Sequence, residues 1–212
     1  MYDLNAPLSA HYTLGQFVVT NQPLSQPNLP TEIAHYDNLV LLADMKERLD
    51  QYIGPSNIVS AYRTKELQEA LRASGEPTAS GKSFHELGRA FDIYPSNMSI
   101  ADFFGKILAS PLRSDFAEIA IKPAQNALHL SINVPGDVRE PKVTGLNSQG
   151  SYVRLTADEI ASYIQPFVEN VEAAYEEAKS LVTYNKVPLY AALFLGLAGA
   201  FYLIYKQVIK KA

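Results

Sequence analysis

The amino-acid sequence predicts an α+β protein. A small antiparallel sheet with flanking helices fills residues 1–140, and a helical stalk and a C-terminal transmembrane helix follow. Three observations carry this prediction. Segments with apolar residues at helical spacing are interspersed with short apolar or alternating runs that close at prolines, the order of elements expected of a compact mixed domain. The chain has 212 residues, 47% of them hydrophobic, enough for one core of ordinary size and too few for a second full domain. Finally, "VPLYAALFLGLAGAFYLIY", residues 187–205, runs about 19 residues without a charge, which as a helix crosses a hydrocarbon core of roughly 30 Å.

Taken in order, the first 30 residues hold "NQPLSQPNLP", a proline-rich polar arm that suits a loop or an extended surface covering. "TEIAHYDNLVLLADMKERLDQYI" places Ile33, Leu39, Leu42, Leu49 and Ile53 at helical spacing and ends before Gly54-Pro55. "NIVSAYR" reads as a short buried strand and "TKELQEALRAS" as a helix stopped by Gly75. "RAFDIYP" and "ALHLSINVP" read as strands, each closed by a proline, and between them "SIADFFGKIL" is a short helix with Ser99 as N-cap. Residues 141–155, containing "GLNSQGSY", read as a polar linker.

Residues 156–186 then form an amphipathic stalk. Thr156 and Glu159 have capping-box spacing, Ile160, Ile164, Phe167, Val171, Tyr175 and Leu181 make one apolar stripe, and Pro166 should bend the helix. The transmembrane helix at 187–205 is preceded by Lys186 and followed by a basic tail, 206–212, with Lys206, Lys210 and Lys211. Tyr190, Tyr202 and Tyr205 lie near its ends, where amphipathic rings favour the interface. The lysine excess after the span predicts a single-pass protein whose C-terminus stays cytoplasmic and whose domain faces outward.

A formal net charge of −4 with no basic run before the last residues argues against nucleic acid as a partner. With no cysteine, disulfides and thiolate metal sites are excluded, so a transition metal has to be held by imidazole and carboxylate. The chain has four histidines, and "SFHELGRAFD" sets His85 and Asp92 around Gly88. His129, in "ALHLSIN", is the natural third ligand, since its strand could lie beside "RAFDIYP". On spacing alone, such a trio fits a metal site or histidines satisfied within the fold.

The ten residues from Ser83 to Asp92 closely resemble the Ser-x-His-x-x-Gly-x-Ala-x-Asp motif of the zinc D-Ala-D-Ala carboxypeptidases and the phage L-alanyl-D-glutamate endopeptidases, with matches at Ser83, His85, Gly88, Ala90 and Asp92. "LSAHYTLGQF" resembles the N-terminal Leu-Ser-x-His-Phe-Thr-Leu-x-Glu-Phe signature of the short phage-type branch. "SAYRT" is similar to its Ser-Gly-Tyr-Arg-Ser segment and "LHLSI" to its Trp-Val-His-Val-Ser strand. The resemblance covers residues 8–135 and leaves out the stalk and the apolar segment.

The resemblance implies the peptidase fold of that family, zinc (Zn2+) as cofactor with His85, Asp92 and His129 as ligands, and peptidoglycan stem peptides as substrate. Arg63 would meet a carboxylate of the substrate, and Ser83 would hydrogen-bond within the site. His11 falls in the N-terminal signature with a structural role, and His35 on a helix surface. The family's general base is a carboxylate shortly before the last histidine, yet Asn126, Lys122 and Pro123 occupy the corresponding positions here, and Leu128 replaces the tryptophan. Glu118 is the nearest preceding acid and the expected base, with Glu86 as the other choice. Two functions follow as expectations. One is a membrane-anchored zinc peptidase, carried in the internal membrane of a phage particle or in a bacterial inner membrane. The other is a catalytically degenerate metal-binding or wall-binding module that docks on other virion proteins.

Overall fold

The structure, a computed structural model, describes residues 3–75 and 83–183. The expected transmembrane helix and basic tail lie outside these residues, and no described helix is long and apolar enough to cross a membrane. The elements run α1 (Leu14–Phe17), α2 (Ile33–Tyr52), β1 (Ser56–Ser60), α3 (Lys65–Ala73), β2 (Ala90–Pro95), α4 (Ile100–Ala109), β3 (Phe116–Lys122), β4 (Ala127–Ile132), β5 (Lys142–Leu146), β6 (Tyr152–Arg154) and α5 (Ala157–Thr183). The strands form one sheet in the order β1-β2-β4-β3-β5-β6.

The fold is α+β as expected, but the sheet is mixed rather than antiparallel. β5 runs parallel to β3, whereas every other pair is antiparallel. The reason is the connection: residues 133–141 leave β4, pass β3 at the same end of the sheet and start β5 beyond it. The stretch 141–155, expected as a linker, therefore carries two strands, whose polar, glycine-containing sequence disguised them. β3, "FAEIAIK", is also an element that the sequence reading did not assign, although its alternation is legible once placed.

Alternation sorts the sheet into two faces. Phe91, Ile93, Ile119, Ile121, Leu128, Leu130 and Val143 join the core with Leu39, Leu42 and Leu49 of α2 and Phe103, Phe104, Ile107 and Leu108 of α4. The first half of α5, the segment expected as an amphipathic stalk, packs its apolar stripe into this core. Ile164 and Val168 are buried, and Tyr163 packs edge-on against Phe104 at 4.9 Å. Gly105 permits this crossing, because a Cβ there would collide with the Tyr163 carbonyl oxygen.

The N-terminal arm is tied down rather than loose. Glu47 accepts from the Ser9 hydroxyl at 2.8 Å and the His11 backbone N–H at 2.6 Å, and pairs with the His11 ring at 2.7 Å. Asn28 donates to the carbonyls of Val18 and Tyr62 and accepts from Thr64 N–H, which is also the N-cap residue of α3.

Candidate metal centre

The other face of the sheet carries the polar chemistry, arranged by register in three rows. Ala90, Ser131, Glu118 and Lys142 form the first. Ser60, Asp92, His129, Ala120, Thr144 and Arg154 form the second. In the third, Lys122 stands opposite Ala127, and Tyr152 lies two strands further out, on β6, opposite Leu146 of β5. Asp92 and His129 are thus direct cross-strand partners, a pairing that holds side chains on one face within contact distance.

His85 reaches the same point from the turn between α3 and β2. That turn is held by hydrogen bonds from Gly88 N–H to His85 O and from Arg89 N–H to Phe84 O, and by Asn38 of α2 donating to Leu87 O at 2.8 Å. Gly88 has φ +68°, and a Cβ there would lie 2.5 Å from the His35 carbonyl oxygen, so only glycine lets α2 approach the turn. Ser83 is buried, and its hydroxyl accepts from His85 N–H at 3.3 Å.

The three side chains converge. His85 Nε2 lies 3.2 Å from His129 Nδ1, His129 Nδ1 lies 3.0 Å from Asp92 Oδ1, and His85 Nε2 lies 3.6 Å from Asp92 Oδ2. A tetrahedral ion with bonds of about 2.0–2.1 Å separates its ligand atoms by roughly 3.3–3.4 Å, close to the spacing of the two histidine nitrogens, and one ligand atom from each of the three residues lies within 4.8 Å of the others. Among the described residues, this is the one His/Asp/Glu group close enough to hold an ion.

Hydrogen bonds on the outer nitrogens set the tautomers. His85 Nδ1 donates to the Ala61 carbonyl at 2.6 Å, which leaves the lone pair on Nε2. Burial, reinforced by Arg63, pushes His85 down to about 4, so it stays neutral as a ligand must. His129 Nε2 faces Ser131 Oγ at 3.2 Å and Glu118 Oε2 at 3.8 Å, which leaves Nδ1 toward Asp92 and His85. Burial opposes protonation of His129, but its bonds to Asp92 and Glu118 outweigh this and raise it above the ordinary value.

Asp92 collects the cations of the site. Arg63 donates to Oδ2 at 2.6 Å and anchors its Nε on Ser60 Oγ at 2.9 Å, while Lys122 donates to Oδ1 at 2.8 Å. Burial works against the Asp92 charge, and Lys122 and the two histidines overcome it, holding the carboxyl well below the usual range. Lys122 is raised in turn by Asp92 despite its own burial.

The structure therefore brings together every residue that the sequence singled out for metal binding, and it places Arg63 and Ser83 beside them. Glu118 stands beyond the far nitrogen of His129, where it can orient the ring, and not on the side that Asp92 and His85 face. Glu86 sits half-exposed in the turn after His85. Asn126 is in the left-handed conformation, φ +48°, of the tight β3–β4 connection, a role that asparagine tolerates. One participant was not anticipated, the Lys122–Asp92 ion pair; the period-two spacing of Glu118, Ala120 and Lys122 was the available signal for it.

Comparison of the chain with family models, curated proteins and solved structures finds no match in any of the three.

Proposed function

We propose that this chain is a zinc peptidase that hydrolyses the stem peptides of peptidoglycan and is anchored to a membrane by its C-terminal apolar segment. The observation that carries the reading is the convergence of His85, Asp92 and His129 at ligand spacing, with both imidazole tautomers fixed from behind. The motif resemblance from Ser83 to Asp92 supports the substrate class and the choice of zinc. Bound there, the ion supplies a polarised carbonyl and an acidified water.

The chain's own residues divide the remaining work. Ala61 and Ser83 hold His85 in place, and Glu118 with Ser131 holds His129. Arg63 and Lys122 present positive charge where negative charge develops on the substrate, the arrangement that stabilises an oxyanion. The anchor, if it lies in the bacterial inner membrane or the internal membrane of a phage particle, delivers the domain to the wall.

A specific observation favours the second reading, a metal-binding or wall-binding module without turnover. Lys122 occupies a position where relatives of the motif place a carboxylate base, and it binds a ligand oxygen instead. Loss of a general base lowers the rate by on the order of 10² to 10⁴. The experiment is metal analysis of the full-length protein in detergent, with digestion of purified peptidoglycan followed by mass spectrometry. One zinc per chain and new stem-peptide fragments establish the peptidase. Zinc without fragments establishes the module, and absence of zinc removes both.

A further inference from the structure

On the helical side of the sheet, across from the metal centre, lies a cavity of about 430 Å³. It opens where the ends of α2 and α4 meet the 3₁₀ turn Pro111–Asp115 and the middle of α5. Its size falls within the roughly 300–1,000 Å³ of small-molecule sites, which are mostly apolar with a few placed polar groups. This cavity has that composition. Ile53 and Leu112 are buried in its lining, and Ser110 turns its hydroxyl back onto the Ile107 carbonyl at 2.9 Å, closing the end of α4 on itself.

Two rings line the cavity from different elements, Tyr52 at the end of α2 and Phe167 in α5. Among the described residues they make no ring contact with each other, so the space between them admits a flat group, which aromatic faces and edges favour. The charges are both cationic, Arg48 and Lys106. Arg48 gives one nitrogen to Asp115 at 2.7 Å and is neutralised by it. Lys106 is half-buried, and no acid among the described residues pairs with it. An ammonium held against apolar walls is screened less than one in open water, and it is stabilised by an anion. The lining has no Asn, Gln, Asp or Glu among the described residues, so nothing there reads the polar edge of a nucleobase.

We propose that this cavity binds a planar, apolar aromatic anion, with its rings between Tyr52 and Phe167 and its acidic group on Lys106 beside Arg48. The site shares no residue with the metal centre and stands or falls without it.

The test is fluorescence titration of the full-length protein in detergent with anilinonaphthalene sulfonate and with its uncharged parent, phenylnaphthylamine, each corrected by a protein-free detergent blank. The sulfonate is expected to bind saturably and about tenfold or more tightly than the parent. Lys106→Gln should erase that preference by weakening the sulfonate alone. Tyr52→Ser, at a ring that is 68% exposed and so contributes little to the fold, should weaken both probes a few-fold. Uptake that matches the blank, or equal affinity for the two probes, overturns the proposal. So does a preference that survives Lys106→Gln, or sulfonate binding that is intact in Tyr52→Ser should the lysine variant not fold.

Discussion

Among the described residues are two buried lysine–aspartate pairs, Lys46 with Asp50 and Lys122 with Asp92, and their surroundings differ. Lys46 is fully buried, and its ammonium meets both Asp50 oxygens at 2.6 Å, the Tyr12 hydroxyl at 2.8 Å and the Ser56 carbonyl at 2.8 Å. Asp50 in turn accepts from Tyr12 and from Ser56. Every partner is spoken for, and the cluster ties the N-terminal arm, α2 and β1 together. Around Asp92 the balance is different: one carboxylate serves a guanidinium, an ammonium and two imidazoles. A pair with matched donors and acceptors braces a fold. A carboxylate crowded by cations and metal-ligating rings is a place where one positive group can be exchanged for another.

The largest effect that tests this contrast is on metal. His85→Ala is expected to abolish stoichiometric zinc binding in the full-length protein, whereas Lys46→Met should leave it unchanged, both read by elemental analysis after dialysis. Zinc retained by His85→Ala would break the comparison outright, since the Asp92 cluster would then be another brace.

Next in size is stability. Removing one partner of a buried ion pair strands the other and costs about 3–5 kcal/mol. Lys46→Met should sit near the lower end, about 3 kcal/mol, because the Asp50 side chain is 24% exposed and regains some water. Lys122→Met should cost less, since Arg63 remains on Asp92. Urea unfolding of the two variants side by side measures the difference, and equal losses would mean that Lys122 is as structural as Lys46.

A third prediction sharpens the site itself. Glu118 lies behind His129, 3.8 Å from its Nε2, and pairs on its other side with Lys142, also at 3.8 Å. As an orienting carboxylate its loss should weaken zinc affinity by about 10- to 100-fold, the usual cost of removing a partner that steers a metal-bound imidazole. Competition titration of Glu118→Gln against a zinc-chelating dye reads it. Unaltered affinity with lost hydrolysis would return Glu118 to the role of base.

These positions also show how far the sequence carries. His85, Asp92 and His129 were legible because a turn glycine and a strand fix them in local patterns, and the helices were legible from their apolar spacing. The mixed sheet was hidden for the opposite reason. β3 lies between two 3₁₀ turns, and β6 is three exposed residues long, so neither shows enough period to be read alone. The Lys122–Asp92 contact was out of reach because it joins residues thirty apart through register, and register is decided by the whole sheet. The start of α5 misled in a simpler way: an amphipathic stripe says that a face is buried, not against what.

The smallest effect concerns Asp137, at the rim of the same face. It bonds the guanidinium of Arg89 at 2.7 Å and that of Arg139 at 2.7 and 2.9 Å, and both arginines lie over the Phe84 ring, next to Ser83. Arg139 and then Arg89 hold the Asp137 carboxyl down at about 2, below its ordinary 3.8. A carboxylate that is depressed in the folded state contributes stability in full above its unfolded value and loses it as pH falls through the folded one. The window here is therefore pH 3.8 down to about 2. Asp137→Asn should be slightly less stable than wild type at neutral pH and should converge with it as pH falls across that window, in denaturation curves collected pH by pH. Zinc binding at neutral pH should be untouched, because the rim positions the turn from outside while Ala61 and Ser83 hold His85 from within. A variant that loses zinc would instead show that the arginine pair, and not those two contacts, keeps His85 in register with Asp92.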